Sequence, residues 1–252
     1  MGWLEEPLGR ALLADELALV EGLLSEFPPF RTSLGVAPQS YGPLLSVVAE
    51  RSRVGFAMAP AAGHGLGGEP GMTPRPRRLV WGLPEALPFA SGELDLVVLA
   101  HSLEFSRSPY RILAEAERVL APGGRLLVLT FNPLSAFGLV HPLLRRRYRQ
   151  GPWPGRFLSS LHVRRMLEST GLVPEGSRYA FLRPPLRAER ALRAVRFLDR
   201  LPGRRRLPLG AVGCVQARKD QPGVTLLGPA FRAELSGGRH PGMPAYPCDS
   251  LQ

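Results

Sequence analysis

Two apolar runs constrain this fold more than any other feature: Leu94–Ala100 (LDLVVLA) and Arg125–Phe131 (RLLVLTF). After Asp95 and Arg125, each is apolar at odd and even positions alike. A strand with one wet face alternates; a strand that does not is covered on both faces, as in a parallel sheet. Between the runs stands SPYRILAEAERVLAPGG. Ser108 suits an N-cap and Pro109 the first helical position. Ile112, Leu113, Ala116, Val119 and Leu120 share one face, and Pro122-Gly123-Gly124 ends the helix. Strand, helix, Gly turn and strand make a βαβ unit, whose right-handed crossover renders its two strands parallel. The polar tip after Ala100 therefore falls at a carboxyl end of the sheet, where ligands of open α/β sheets bind. His101 and Ser102 occupy that tip.

The rest of the chain extends this pattern. Leu4 to Leu24 reads as an amphipathic helix, with Leu12, Leu13, Glu16, Leu17, Val20, Leu23 and Leu24 at the spacing of one face, stopped by Pro28 and Pro29. Phe30–Val36 is a short strand. Tyr41–Pro60 holds one helix and one strand, and Arg77–Gly82 a further strand. Ala61–Pro76 is Gly/Pro-rich and reads as a loop. After Phe131 come an inserted helix with a basic-aromatic end, then a helix capped at Ser159 or Ser160 and closed by Gly171. A strand follows within Val173–Pro185, then a basic helix over Arg187–Arg200, which could lie on a membrane surface but whose apolar face is expected to cover the sheet, and a last strand over Gly210–Lys219. From Asp220 to Gln252 the aperiodic Gly/Pro composition reads as a disordered tail. The expected organisation is an N-terminal helix (1–28) packed on a core domain (29–219), with the tail (220–252) beyond it.

Charge is uneven. Residues 1–120 carry 10 basic and 14 acidic side chains, and residues 121–252 carry 22 and 7, within a formal net charge of +11. The second half thus suits an anionic partner, RNA among them. Lys219 is the only lysine, so the same arginine excess also reads as codon bias. Cys214 and Cys248 lack the spacing of a zinc site or redox pair, and no metal site is expected. The acidic N-terminus is no secretory signal and no stretch is long enough to span a bilayer, which points to a cytoplasmic protein.

The block LPEALPFASGELDLVVLAHSLEF…PYRILAEAERVLAPGGRLLVLTFNP resembles class I S-adenosylmethionine (SAM) dependent methyltransferases of the type 11 group. PLGRALLADE, FNPLSAFGL and FLRPPLRAERALRAVRFLDRL resemble a narrower bacterial branch of that group. The resemblance implies a Rossmann-like α/β fold, with a seven-stranded, mostly parallel sheet and helices on both faces. It implies SAM across the carboxyl ends of the first strands, bound at a Gly-rich turn of which Gly35 in SLGV is the single glycine present. Leu83, beside Pro84, stands where the family carries an acid near the adenine. Gly35, Leu83, Pro84, His101 and Ser102 are the expected cofactor contacts.

His101 reads as a pocket wall, a structural hydrogen bonder or a base; the pocket wall is preferred, because SAM's sulfonium is already a good leaving group and alignment does much of the work. Asn132, following the next strand, faces substrate or makes an Asn-Pro turn. Asp95 reads as setting the start of its strand, and Glu115 with Arg118 as a helical ion pair. Arg145–Arg149 with Trp153 could meet phosphates and stack on a base, or form a solvated helix end. The expected function is methyl transfer from SAM to an unidentified acceptor; the alternative is a methyltransferase-like binding or scaffold protein without catalysis.

Overall fold

In the computed structural model, residues 3–60, 78–147, 152–186, 188–201 and 203–220 are described. Ala61–Pro76, Tyr148, Arg149, Cys248 and the tail beyond residue 220, on all of which sequence expectations rest, lie outside them. The described elements run α1 (Pro7–Ser25), β1 (Phe30–Val36), α2 (Gly42–Glu50), β2 (Ser52–Pro60), β3 (Leu79–Gly82), β4 (Leu94–Ala100), α3 (Pro109–Val119), β5 (Leu120–Phe131), α4 (Ala136–Arg147), α5 (Ser160–Ser169), β6 (Leu172–Ala180), α6 (Glu189–Ala194) and β7 (Val212–Lys219). The strands form one sheet in the order β3-β2-β1-β4-β5-β7-β6. β7 alone runs antiparallel, to both β5 and β6. The expected seven-stranded, mostly parallel sheet is the one observed.

The two-faced apolar runs account for the layering. Leu96, Val98 and Ala100 of β4 pack with α1, α2, α4 and α6, while Val97 and Leu99 pack with α3 and α5. Helices thus cover both faces, as a central parallel strand requires. The strand order reverses between β1 and β4, which pair Ser33–Val36 with Leu96–Leu99.

Two side-chain devices fix the ends of these strands. At the amino ends, the Asp95 carboxylate accepts the backbone N–H groups of Arg31 and Thr32 and the Thr32 hydroxyl. Asp95 therefore fastens β1 to β4, at the opposite end from any ligand. In the turn before β4, Glu115 accepts the Leu87 N–H, and Arg118 donates to the carbonyls of Leu87 and Phe89. Arg118 also pairs with Glu115, whose carboxyl it holds below the usual range. The Glu115–Arg118 pair is a clamp on the Leu87-Pro88-Phe89 turn.

Three local expectations are corrected. The Ser108 side chain does not cap α3; its N–H instead donates to the Ser106 hydroxyl. Pro122-Gly123-Gly124 does not terminate α3, which ends at Val119; the three residues lie inside β5, with Gly123 at φ 77°. The basic helix over Arg187–Arg200 is α-helical only over Glu189–Ala194 and continues as a 3-10 turn, Arg196–Arg200. Leu192 is buried, but Phe197 is 61% exposed, so little of this segment covers the sheet. Ser159 does cap α5, its hydroxyl accepting the His162 N–H, and Gly171 beyond the helix takes φ 83°.

Candidate active-site crevice

The carboxyl ends of β1 and β4 flank the point where strand order reverses, the position at which open α/β sheets hold ligands. β4 ends at Ala100, and His101 turns the chain with φ 51°. A left-handed conformation is unusual for a residue with a Cβ and is held only where surroundings impose it. The imposed contacts are visible. Nδ1 of His101 lies 2.9 Å from Glu104 Oε1, and Nε2 lies 3.0 Å from Glu16 Oε1. All three side chains are fully buried. The ring also packs between Tyr41 and Phe131, with centroids 5.1 and 4.3 Å away.

Glu16 arrives from α1, 85 residues earlier in the chain. It sits among the apolar residues of that helix, whose face is buried against the sheet. Its neighbour Asp15 accepts the Phe181 N–H and pairs with the Arg204 guanidinium through both carboxylate oxygens. Glu104 accepts the Phe131 N–H through the oxygen that faces His101. Ser102 donates to the carbonyls of Val36 and Ala100, bridging the two strand ends.

The electrostatics follow from burial and pairing. Burial alone would depress the His101 pKa, but the two flanking carboxylates overcome it and raise it to about 10. His101 is therefore an imidazolium at neutral pH, with both ring N–H groups donating. Burial raises Glu16 despite its pairing with His101. Burial likewise holds the Tyr41 hydroxyl well above its ordinary value, reinforced by the nearby carboxylates. Within this cluster, three buried polar atoms have no hydrogen bond within 3.5 Å among the described residues: Oε2 of Glu16, Oε2 of Glu104 and the Tyr41 hydroxyl, which lies beside Glu16. A buried acceptor left unmatched costs about 1–3 kcal/mol.

Each sequence-derived site residue can now be placed. His101 and Ser102 lie together in the crevice. Gly35 lies within β1, and a Cβ there would meet Leu45 Cδ2 at 2.9 Å and Val48 Cβ at 3.6 Å. What crowds Gly35 is α2 packing on the strand. Leu83 is 47% exposed and pairs with Ala86 in the turn after β3, next to buried Pro84. Asn132 is buried and its amide is spent: Nδ2 donates to the carbonyls of Pro208 and Gly210, and Oδ1 accepts the Leu134 N–H. That is the turn reading. Trp153, expected beside the arginines as a stacking surface, is buried against Phe137, while Arg145 and Arg146 are exposed. Cys214 is buried with its thiol pushed up to about 12. Sequence reasoning missed Glu16 and Tyr41 as crevice residues. An acid on the apolar stripe of a helix was the available signal for Glu16.

Comparison with known proteins agrees with this architecture. Residues 70–128 match the methyltransferase domain family. The chain is 45% identical over 65 residues to the uncharacterized protein YafS of Escherichia coli, covering 25% of this chain and 27% of that protein. It is 45% identical over 64 residues to the demethylmenaquinone methyltransferase of Thermus thermophilus, covering 25% and 29%. The chain spans from 27% to 60% of the length of the curated relatives it first matches. Among solved structures, a SAM-dependent methyltransferase from Thermotoga maritima superposes with TM-score 0.60 at 18% identity, over 86% of this chain and 93% of that one. The fold is that of class I SAM-dependent methyltransferases, a fold family that binds SAM.

Proposed function

We propose that the chain is a cytoplasmic SAM-dependent methyltransferase, acting on an acceptor still to be identified. The observation that carries this reading is the buried His101–Glu16–Glu104 cluster at the strand-order reversal, with two carboxylate oxygens lacking hydrogen-bond partners among the described residues. Such oxygens are acceptors of negative character, and a ligand bearing a sulfonium and an ammonium group satisfies them. The residues present therefore fit SAM in charge.

When bound, SAM supplies an electrophilic methyl carbon. Glu16 and Glu104, once uncovered, would face its cationic groups, Ser102 and the carboxyl end of β1 would line the methionine side, and Leu83 and Pro84 the adenine side. His101 is a positioning residue. Already protonated near neutrality, it has no lone pair to take a proton, and its role is to hold both carboxylates in place. Asn132, with its amide committed to backbone carbonyls, stands away from the chemistry. Methyl transfer then rests on alignment rather than on a base.

Titration calorimetry and thermal melts with SAM and S-adenosylhomocysteine test this. Ligand at about a hundred times its dissociation constant stabilises by roughly 2.7 kcal/mol, about 5–11 °C for a protein of this size. SAM should bind more tightly than S-adenosylhomocysteine, whose thioether is neutral, and Glu104→Gln should erode that preference. A radiolabelled methyl-transfer assay on cell extract then seeks the acceptor.

A specific observation favours a second reading. Glu16, Tyr41 and the His101 ring are fully buried, so the crevice is packed by the protein's own side chains. A methyltransferase-like binding protein without catalysis fits that packing. No heat and no thermal shift at millimolar SAM, on well-folded protein, would leave this reading standing.

A further inference from the structure

Two segments meet above the carboxyl end of β5, and together they hold most of the chain's excess charge. Residues 132–147 and 182–211 carry twelve arginines and two acids, a balance of +10 against +11 for the whole chain. Asn132 ties them together. Its N–H and amide bond the carbonyls of Ala211, Pro208 and Gly210, while its Oδ1 accepts the Leu134 N–H.

The same segments expose apolar side chains. Seven of the thirteen exposed large apolar residues among those described lie in them. Leu139 and Leu143 of α4, one turn apart on one helix face, are 81% and 73% exposed. Arg145 and Arg146 follow directly and are exposed too. In the second segment Phe197 and Leu209 are 61% and 56% exposed, among exposed Arg190, Arg193, Arg196 and Arg206. The second segment also lines, with Arg178 of β6, a cavity of about 320 Å³ formed by Arg178, Gly203, Arg204, Arg205 and Arg206. Arg204 is paired with Asp15, and Arg205 donates to the Ala18 carbonyl. The guanidinium groups of Arg178 and Arg206 have no hydrogen bond or ion pair among the described residues.

We propose that this rim docks on an anionic phospholipid bilayer, with Leu139, Leu143, Phe197 and Leu209 entering the headgroup–acyl boundary and the arginine-lined cavity receiving lipid phosphate. The argument is complementarity on two counts. Basic side chains near an anionic leaflet contribute about 1 kcal/mol each, and protruding leucines gain only where an apolar phase meets them. Nucleic acid would use the arginines but leave aliphatic side chains in water, because bases stack on aromatic rings. The proposal holds whether or not the crevice binds SAM.

Vesicle co-sedimentation decides it, with vesicles of phosphatidylcholine alone and of phosphatidylcholine mixed with phosphatidylglycerol. The full chain should sediment with the anionic vesicles, stay in solution with the zwitterionic ones, and lose binding as salt rises. Arg178→Gln with Arg206→Gln should weaken binding about thirtyfold, as about 2 kcal/mol predicts. Leu139→Ser with Leu143→Ser should weaken it at least about tenfold, without moving the thermal melt. Equal binding to both vesicle types, or binding to neither, would overturn the proposal. So would a leucine variant that binds anionic vesicles like the parent while the arginine variant alone loses single-stranded RNA, since the rim would then be a nucleic-acid surface. A parent that runs as a dimer and ignores vesicles, made monomeric by the leucine changes, would assign the rim to a second copy.

Discussion

Replacing His101 by alanine removes the imidazolium from between two buried carboxylates. Glu16 Oε1 then loses its hydrogen-bond partner, while Glu104 Oε1 retains the Phe131 N–H. The Oε2 atoms of both residues have no hydrogen-bond partner among the described residues to compensate. Breaking a buried ion pair from one side costs about 3–5 kcal/mol. Alanine also keeps the Cβ that makes the φ of 51° unfavourable, so no strain is relieved. At about 2–4 °C per kcal/mol, the melting temperature should fall about 6–20 °C near neutral pH. The pH dependence supplies a second signature. In the parent the folded His101 pKa is about 10, raised from 6.5. Its contribution is complete below about 6.5 and is lost as pH rises through about 10, because the folded state binds the extra proton. Glu16, also raised, acts in the same direction. The deficit of the variant should therefore be widest near neutrality and narrow toward pH 10. Thermal melts followed by circular dichroism at pH 7 and pH 10, with His101→Gln as a size control, measure both. A variant melting within about 2 °C of the parent at pH 7, with a parallel pH dependence, would show that the cluster is neither dry nor paired.

Gly35→Leu should destabilise the ligand-free protein by about 1–3 kcal/mol, since the added side chain enters the space of Leu45 and Val48; an unchanged urea midpoint would return Gly35 to the ligand side of the strand. Ser108→Ala should alter stability by no more than about 0.5 kcal/mol, because the hydroxyl caps nothing; a loss near 1 kcal/mol would reinstate the cap. Cys214, buried and pushed up to about 12, should resist Ellman's reagent in native buffer at pH 8 and react once urea unfolds the sheet. Prompt native-state labelling at that position, with Cys248 replaced by serine, would contradict its burial.

The strands were legible because a parallel sheet leaves an unambiguous mark: β4 and β5 are apolar on both faces, and only a covered strand tolerates that. The ends of α3 were less legible. Ser108 has the residue type of a cap, but its N–H was recruited by Ser106, a contact that propensity does not contain. The shortness of α6 was hidden for a related reason. Its arginines recur at helical spacing whether or not an apolar face accompanies them. In the crevice, His101 could be found from its position after β4, whereas Glu16 and Tyr41 reach it through long-range packing. The Glu115–Arg118 pair was visible as a helical couple, but its hold on Leu87 and Phe89 required the fold. That clamp falls wholly inside the matched segment, residues 70–128. Glu16 and Tyr41 fall outside it, so the family likeness reports the scaffold more fully than the chemistry.

The adjacent acids of α1 bear on the order in which this molecule can be completed. Glu16 needs His101, while Asp15 needs the backbone of Phe181 and the guanidinium of Arg204. Chains emerge from the ribosome at about 5–20 residues per second, so roughly 10–40 s separate the appearance of α1 from that of Arg204. Throughout that interval one of its two carboxylates has no partner yet made. An early helix of the chain is thus among the last to be locked. A nascent chain arrested before Phe181 should leave α1 open to protease, and release past Arg206 should protect it. The α1 helix is thus held by contacts from the middle and the last third of the sequence, and its docking is a late event that the amino-terminal half cannot complete alone.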